Sequence, residues 1–105
     1  MGQMTGSDDA NALGQAAAKA FATPFGAVLK LAPDSGPPVW IDGRSSPPKI
    51  TKALKRADCT WHGAPEVLIR ALTGERAIES AFVAGRITIS GDISVMSRLT
   101  IEGPR

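Results

Sequence analysis

The chain has a single cysteine, a single histidine, no tyrosine and only five aromatic residues: Phe21, Phe25, Phe82, Trp40 and Trp61. One cysteine excludes a disulfide framework within the chain and fits a reducing compartment. One histidine leaves no pair from which a zinc site is usually built. Long hydrophobic runs are also absent: nothing approaches the ~20 apolar residues of a membrane-spanning helix, and no signal-peptide core is seen. Charge of one sign is scarce, with twelve basic against ten acidic residues and a net charge of +2. That balance gives no reason to expect a nucleic-acid partner. Phosphate-cradling glycine loops and nucleophile elbows are missing too. A chain of 105 residues is large enough for one core and one domain. Residues 1–6 are expected to be a disordered lead, residues 7–105 the domain, and the cytoplasm its location.

What the chain does have is alternation and punctuation. Ser7 is placed to cap a first helix, with Asp8 and Asp9 in its positive first turn. Leu13, Ala17, Ala20 and Phe21 then form one stripe at i, i+4, i+7 and i+8. Ala27, Leu29 and Leu31 alternate with Val28 and Lys30, as in a strand with one covered face. After the turn-rich Pro33–Pro38, Val39 and Ile41 continue as a second strand, and the two read as a hairpin. Lys49 to Arg56 fits either a short edge strand or one irregular turn. Its Lys49, Lys52, Lys55 and Arg56 protect an edge from pairing in one reading, which is the preferred one. In the other they meet anionic lipid headgroups in transient membrane contact.

Cys59 and Trp61 share one strand face with Ala57, while Asp58, Thr60 and His62 share the other. That parity separates the thiol from the imidazole, so Cys59 reads as a small buried hydrophobe and not as a nucleophile. A row of polar groups on an exposed strand face also lacks the enclosure that tunes catalytic groups. No catalytic residues, metal ligands or cofactor are therefore assigned.

Pro65 suits the first position of a helix whose Val67, Leu68, Ile69, Ala71 and Leu72 require cover on more than one side. Gly74 is expected to stop it. A second helix is expected from Ala77 to Ala84, with Ile78, Ala81 and Phe82 inward, closed by Gly85 in the left-handed conformation. Ile87 and Ile89 point to one face of a strand spanning Arg86 to Ser90. Asp92 then caps a further turn. There the signals divide, since Ile93, Val95, Leu99 and Ile101 also alternate as a strand would.

The stretches Ala57-Asp58-Cys59-Thr60, Ala71-Leu72-Thr73-Gly74 and Ala81 through Asp92 together resemble the sterol carrier protein type 2, or non-specific lipid-transfer, domain. The likeness is close over the C-terminal half and extends to the N-terminal half in the order of elements. The chain departs from the family pattern in having Val83 after Phe82, Ala84 before Gly85, Asp92 in place of asparagine, and a shorter first helix.

The resemblance implies an α+β fold, a five-stranded mixed and mainly antiparallel sheet covered on one face by about four to five helices. It favours a short helix over Asp92 to Arg98, with an extended tail from Thr100 to Arg105. It also implies an apolar tunnel for fatty acids, fatty acyl-CoA, sterol-like or phospholipid ligands. Carried onto this chain, Ile87 and Ile89 form part of the floor; Phe82, Leu68 and Leu72 form a wall. Met96 and Leu99 cover the mouth. Phe21, Leu29, Leu31, Ile41 and Trp61 complete the expected lining. The implied function is non-enzymatic lipid binding and transfer. The alternative is an accessory module that presents a hydrophobic intermediate to a partner enzyme modifying lipids or quinones.

Overall fold

A computed structural model of the chain describes residues 5–52 and 56–99. The chain order is helix α1 (Thr5–Ala20), strands β1 (Val28–Pro33), β2 (Val39–Asp42), β3 (Lys49–Thr51) and β4 (Cys59–Gly63), helices α2 (Pro65–Ala71) and α3 (Glu75–Val83), strand β5 (Ile87–Gly91), and a 3-10 helix over Ile93–Arg98. The five strands form one sheet in the order β3-β2-β1-β4-β5. β1 and β4 run parallel, and the other three neighbouring pairs are antiparallel. The expected mixed, mainly antiparallel sheet is therefore present.

Register explains the core. Leu29 lies beside Ile41 and Cys59, and Leu31 lies beside Val39 and Trp61, so apolar side chains meet in rows across the strands. Ile89 extends the Leu31–Trp61 row into β5. Residues of the opposite parity, Thr60, His62, Thr88 and Ser90, leave the other face polar, with His62 exposed. α1 brings Leu13, Ala17 and Ala20 into the same cluster, joined by Phe21 directly after the helix, all essentially buried. Phe21 stacks at a tilt against Phe25 at 5.7 Å and Trp61 at 6.4 Å, so the aromatic cluster ties the first helix to the sheet centre.

Asp58 fastens the parallel junction. Its backbone N–H donates to the Val28 carbonyl at 2.8 Å, and its carboxylate accepts the Val28 N–H at 2.8 Å. Its own carbonyl accepts the Asp92 N–H at 2.7 Å, which joins β5 to the same point. One residue thus satisfies main-chain groups of two other segments, at Val28 and Asp92, and so sets where β1, β4 and β5 start to align.

Several boundaries differ from expectation. α1 begins at Thr5, so Ser7 lies inside the helix and not at its cap; of the expected lead, residues 1–4 are outside the described residues. α2 ends at Ala71, before Gly74, and α3 begins at Glu75, two residues ahead of Ala77. Gly74 instead occupies the N-cap position of α3. Pro65 does take the first turn of α2. Lys49–Thr51 is the short edge strand, paired on one side only with β2. Lys55 and the expected tail from Thr100 to Arg105 fall outside the described residues.

The main correction concerns Phe82. It lies four residues after Ile78 on the stripe expected to face inward, yet Phe82 is 48 % exposed while Ile78 is 6 % exposed. The stripe is covered at its start and emerges at its end, because α3 lies mainly against the outermost strand β5 of the sheet. Helical period fixes which side chains share a line, and the neighbour's extent decides how far that line is covered.

Candidate apolar groove

The second half of α3, strand β5 and the final 3-10 helix line an open groove. Local sequence sets each wall. Gly85 adopts φ +77° and turns the chain out of α3, with the Arg86 N–H closing onto the Ala81 carbonyl at 2.9 Å. The strand that follows presents Ile89 to the helix side. Gly91, at φ +88°, passes so close to Asp58 that an added Cβ would sit 2.6 Å from its carbonyl oxygen. Asp92 then starts the final helix by accepting the Ser94 N–H at 3.0 Å and the Ser94 hydroxyl at 2.6 Å. These bonds hold the Asp92 carboxyl below its usual range, the Ser94 hydroxyl contributing most.

The groove has a volume of about 400 Å³ and is lined by Ile78, Glu79, Phe82, Ile89, Ile93 and Met96. Five of these six are apolar, and Phe82 and Ile93 are 48 % and 54 % exposed. Exposed large hydrophobic side chains converging on one depression are unusual on a surface that has no use for them. At its base, the Met96 thioether accepts the indole N–H of Trp61 at 3.2 Å. Trp61 itself has no solvent exposure. The groove therefore stands directly over the central core, joined to it through one flexible side chain.

Of the residues assigned to a tunnel, Phe82, Ile89 and Met96 meet in this groove. Phe21, Leu29, Leu31, Ile41, Trp61 and Leu68 lie beneath it or further away in the core, each 0–1 % exposed. Leu72, Ile87 and Leu99 belong to that same cluster at 4 %, 2 % and 8 % exposure. Ile78, Glu79 and Ile93 line the groove without having been assigned to the site. Ile78 carried a usable signal, being one helical turn before Phe82. Ile93 carried none, because its place depends on where the final helix lies.

A second depression, of about 410 Å³, separates α2 from α3 and includes Arg70, Ser80 and Arg86 in its lining. Its residues on α3 occupy the flank away from the apolar groove.

The chemically reactive side chains are buried or held by neighbours. Cys59 is buried at 0 % exposure, and that burial, followed by the charge of Asp92, pushes its thiol pKa up. A thiol so placed is a poor nucleophile. His62 lies on the opposite face, with Nε2 3.5 Å from the Ser90 hydroxyl oxygen. Asp42 is bonded by Arg44 and Asp58 by Val28 and Arg56. Among the described residues no three acidic, cysteine or histidine side chains are grouped to hold a metal ion. Of the basic patch, Lys49 and Lys52 are exposed beside the edge strand, and Arg56 is paired to Asp58 at 2.6 Å. Among the described residues no helix is long and apolar enough to cross a membrane.

Comparison with known proteins agrees with this architecture. A family model described as the SCP-2 sterol transfer family matches residues 9–100. No curated protein matches the sequence. Among solved structures, "UbiJ-SCP2 Ubiquinone synthesis protein" is similar at a TM-score of 0.59 and 19 % identity, covering 83 % of this chain and 73 % of that one. Sterol Carrier Protein 2 Like 2 from Aedes aegypti gives 0.55 and 17 %, covering 88 % of this chain and 90 % of that one. Apo Sterol Carrier Protein 2 from Yarrowia lipolytica gives 0.54 and 15 %, covering 72 % and 70 %. At these identities the structural likeness establishes the fold.

Proposed function

The chain belongs to the SCP-2 sterol transfer family, and from that premise we propose that it binds lipids without chemically changing them, taking the apolar part of the ligand into the groove between α3, β5 and the final helix. The observation that carries this reading is the convergence of Ile78, Phe82, Ile89, Ile93 and Met96 on one open depression above Trp61. Moving apolar surface from water into such a site contributes roughly 0.8 kcal/mol per methylene, so a chain of a dozen carbons binds usefully even after the costs of ordering it. Recognition of this kind selects for length and girth more than for chemistry. Fatty acids, acyl-CoA, sterol-like molecules and phospholipids all carry an apolar part of this kind. Glu79 is the one charged residue of the lining. A carboxylate there repels a ligand carboxylate, which favours a sterol-like hydroxyl or another neutral end over a free fatty acid. The protein needs no catalytic group for this task.

Titration of a Trp40→Phe variant with a fluorescent sterol, a fluorescent fatty acid and an acyl-CoA, following Trp61 emission, tests the reading. A saturable change in Trp61 emission is expected. Failure of sterols, fatty acids and acyl-CoA alike to bind would remove it.

A second reading is favoured by the exposure of Val83, 79 %, which follows Phe82 of the groove in the chain, and by the similarity to a structure titled as a ubiquinone synthesis protein. Here the same groove presents a hydrophobic intermediate to a lipid- or quinone-modifying enzyme that docks over exposed Phe82 and Val83. A stable enzyme partner in pull-down, with no transfer of lipid between vesicles, distinguishes it from free transport.

A further inference from the structure

Arg44 and Arg56 each have an aspartate as partner, at 2.8 Å and 2.6 Å. Arg70 and Arg86 have no ion-pair partner among the described residues. Both line the cleft of about 410 Å³ between α2 and α3, and both are exposed there. The cleft exists because the facing positions are small. Ala71 on α2, Ala77 and Ala81 on α3 and Ala84 just after it are too small to fill the space between the helices, and Val67 is the largest apolar side chain in the lining. Ser80 adds a hydroxyl to the same lining, and Glu66 is its one carboxylate. The balance is two guanidinium groups against one carboxylate.

We propose that this cleft is a second binding site, separate from the apolar groove, that takes a phosphate-bearing group between Arg70 and Arg86. Guanidinium offers planar paired donors that match phosphate oxygens, and a serine hydroxyl supplies a further donor. The arginines come from different elements, one from the last turn of α2 and one from the turn before β5. An anion between them would therefore bridge two segments that otherwise meet across a gap. The cleft is of ordinary ligand-site size and holds more than a single small ion, so a diphosphate or phosphodiester group fits the chemistry better than chloride or acetate. The site stands whether or not the groove takes lipid, since α3 places Ile78 and Phe82 on one flank and Ala77, Ala81 and Ala84 on the other.

The test uses the full chain and inorganic pyrophosphate at low salt, read by the NMR signals of the arginine side-chain Nε–H groups. The Arg70 and Arg86 signals are expected to shift together and to saturate, while that of Arg44 stays in place. Arg70→Gln or Arg86→Gln is expected to weaken binding by roughly tenfold or more, the effect of one lost charged hydrogen bond. Both residues are exposed, and an unchanged amide spectrum confirms that each variant folds. Sedimentation with phosphatidic acid vesicles, against phosphatidylcholine vesicles, separates two sources of the phosphate. Pyrophosphate binding alone assigns a soluble phosphate ester, and added vesicle binding lost in the variants assigns a lipid headgroup. Unsaturable shifts spread over all surface arginines, or undiminished affinity in the double variant, would overturn the proposal.

Discussion

The thioether of Met96 accepts the indole N–H of Trp61 at 3.2 Å, so the base of the groove and the centre of the sheet share one hydrogen bond. Trp61 is wholly buried, and its indole N–H is satisfied by this bond. The bond makes Trp61 an internal reporter for the groove.

Met96→Leu keeps the volume and removes the acceptor. Methionine-to-leucine exchange in a packed site costs little by itself, but a buried donor left without a partner costs about 1–3 kcal/mol. Because sulfur is a weak acceptor, the lower end is expected: about 1 kcal/mol by urea unfolding. In the Trp40→Phe background the emission of Trp61 should shift even without ligand. An unchanged spectrum would mean that the contact does not persist in solution.

Ile93→Asp should abolish lipid binding at little cost to folding. Ile93 is 54 % exposed, and substitutions at such positions usually change stability by less than about 0.5 kcal/mol. Leu72→Trp should behave in the opposite way. Leu72 is 4 % exposed within the core, and overpacking there costs about 1–3 kcal/mol without blocking the groove. Paired urea curves and ligand titrations check both; a folded Ile93→Asp variant with full affinity would show that the groove is not the binding site.

Acid should weaken the fold through Asp42 and Asp58. The Arg44 side chain holds Asp42 at a pKa of about 2, and the Val28 N–H, followed by Arg56, lowers that of Asp58. An unfolded aspartate titrates near ~3.9. The stability from both groups is therefore complete above that value and is lost as pH falls through the folded values. Asp58→Asn should be less stable than the natural chain at pH 6, and the difference should shrink toward pH 2. Unfolding midpoints measured at several pH values decide this, and a difference independent of pH would contradict it.

Two glycines with positive φ should respond unequally. Gly91→Ala places a methyl 2.6 Å from the Asp58 carbonyl at φ +88°, whereas Gly85→Ala meets nothing within 4 Å at φ +77°. Left-handed backbone alone costs an alanine roughly 1–2 kcal/mol. Gly85→Ala should lose about that amount in thermal or urea unfolding. Gly91→Ala should lose more, since main chain must move as well. Equal losses would show that the Asp58 junction yields freely.

Local order was legible because it depends on neighbours in the chain. The parity of Cys59, Trp61 and His62 placed two inside and one outside, as observed. Asp92 was readable as a cap and Gly85 as a helix stop, since a side-chain acceptor and an absent Cβ act within a few residues. Together with the three motif stretches, these were enough to indicate the family and its α+β sheet.

The chain alone could not say how far α3 stays covered, and so placed Phe82 and Ile78 in the same environment. Nor did it bring Ile93 to Phe82, or put Arg70 and Arg86 on one cleft. Those relations arise where β5 pairs with β4 and β1 pairs in parallel with β4, contacts between segments far apart in sequence. Periodicity specifies which side chains point the same way; only the packed fold specifies what they point at, because burial is a property of the surface that arrives opposite.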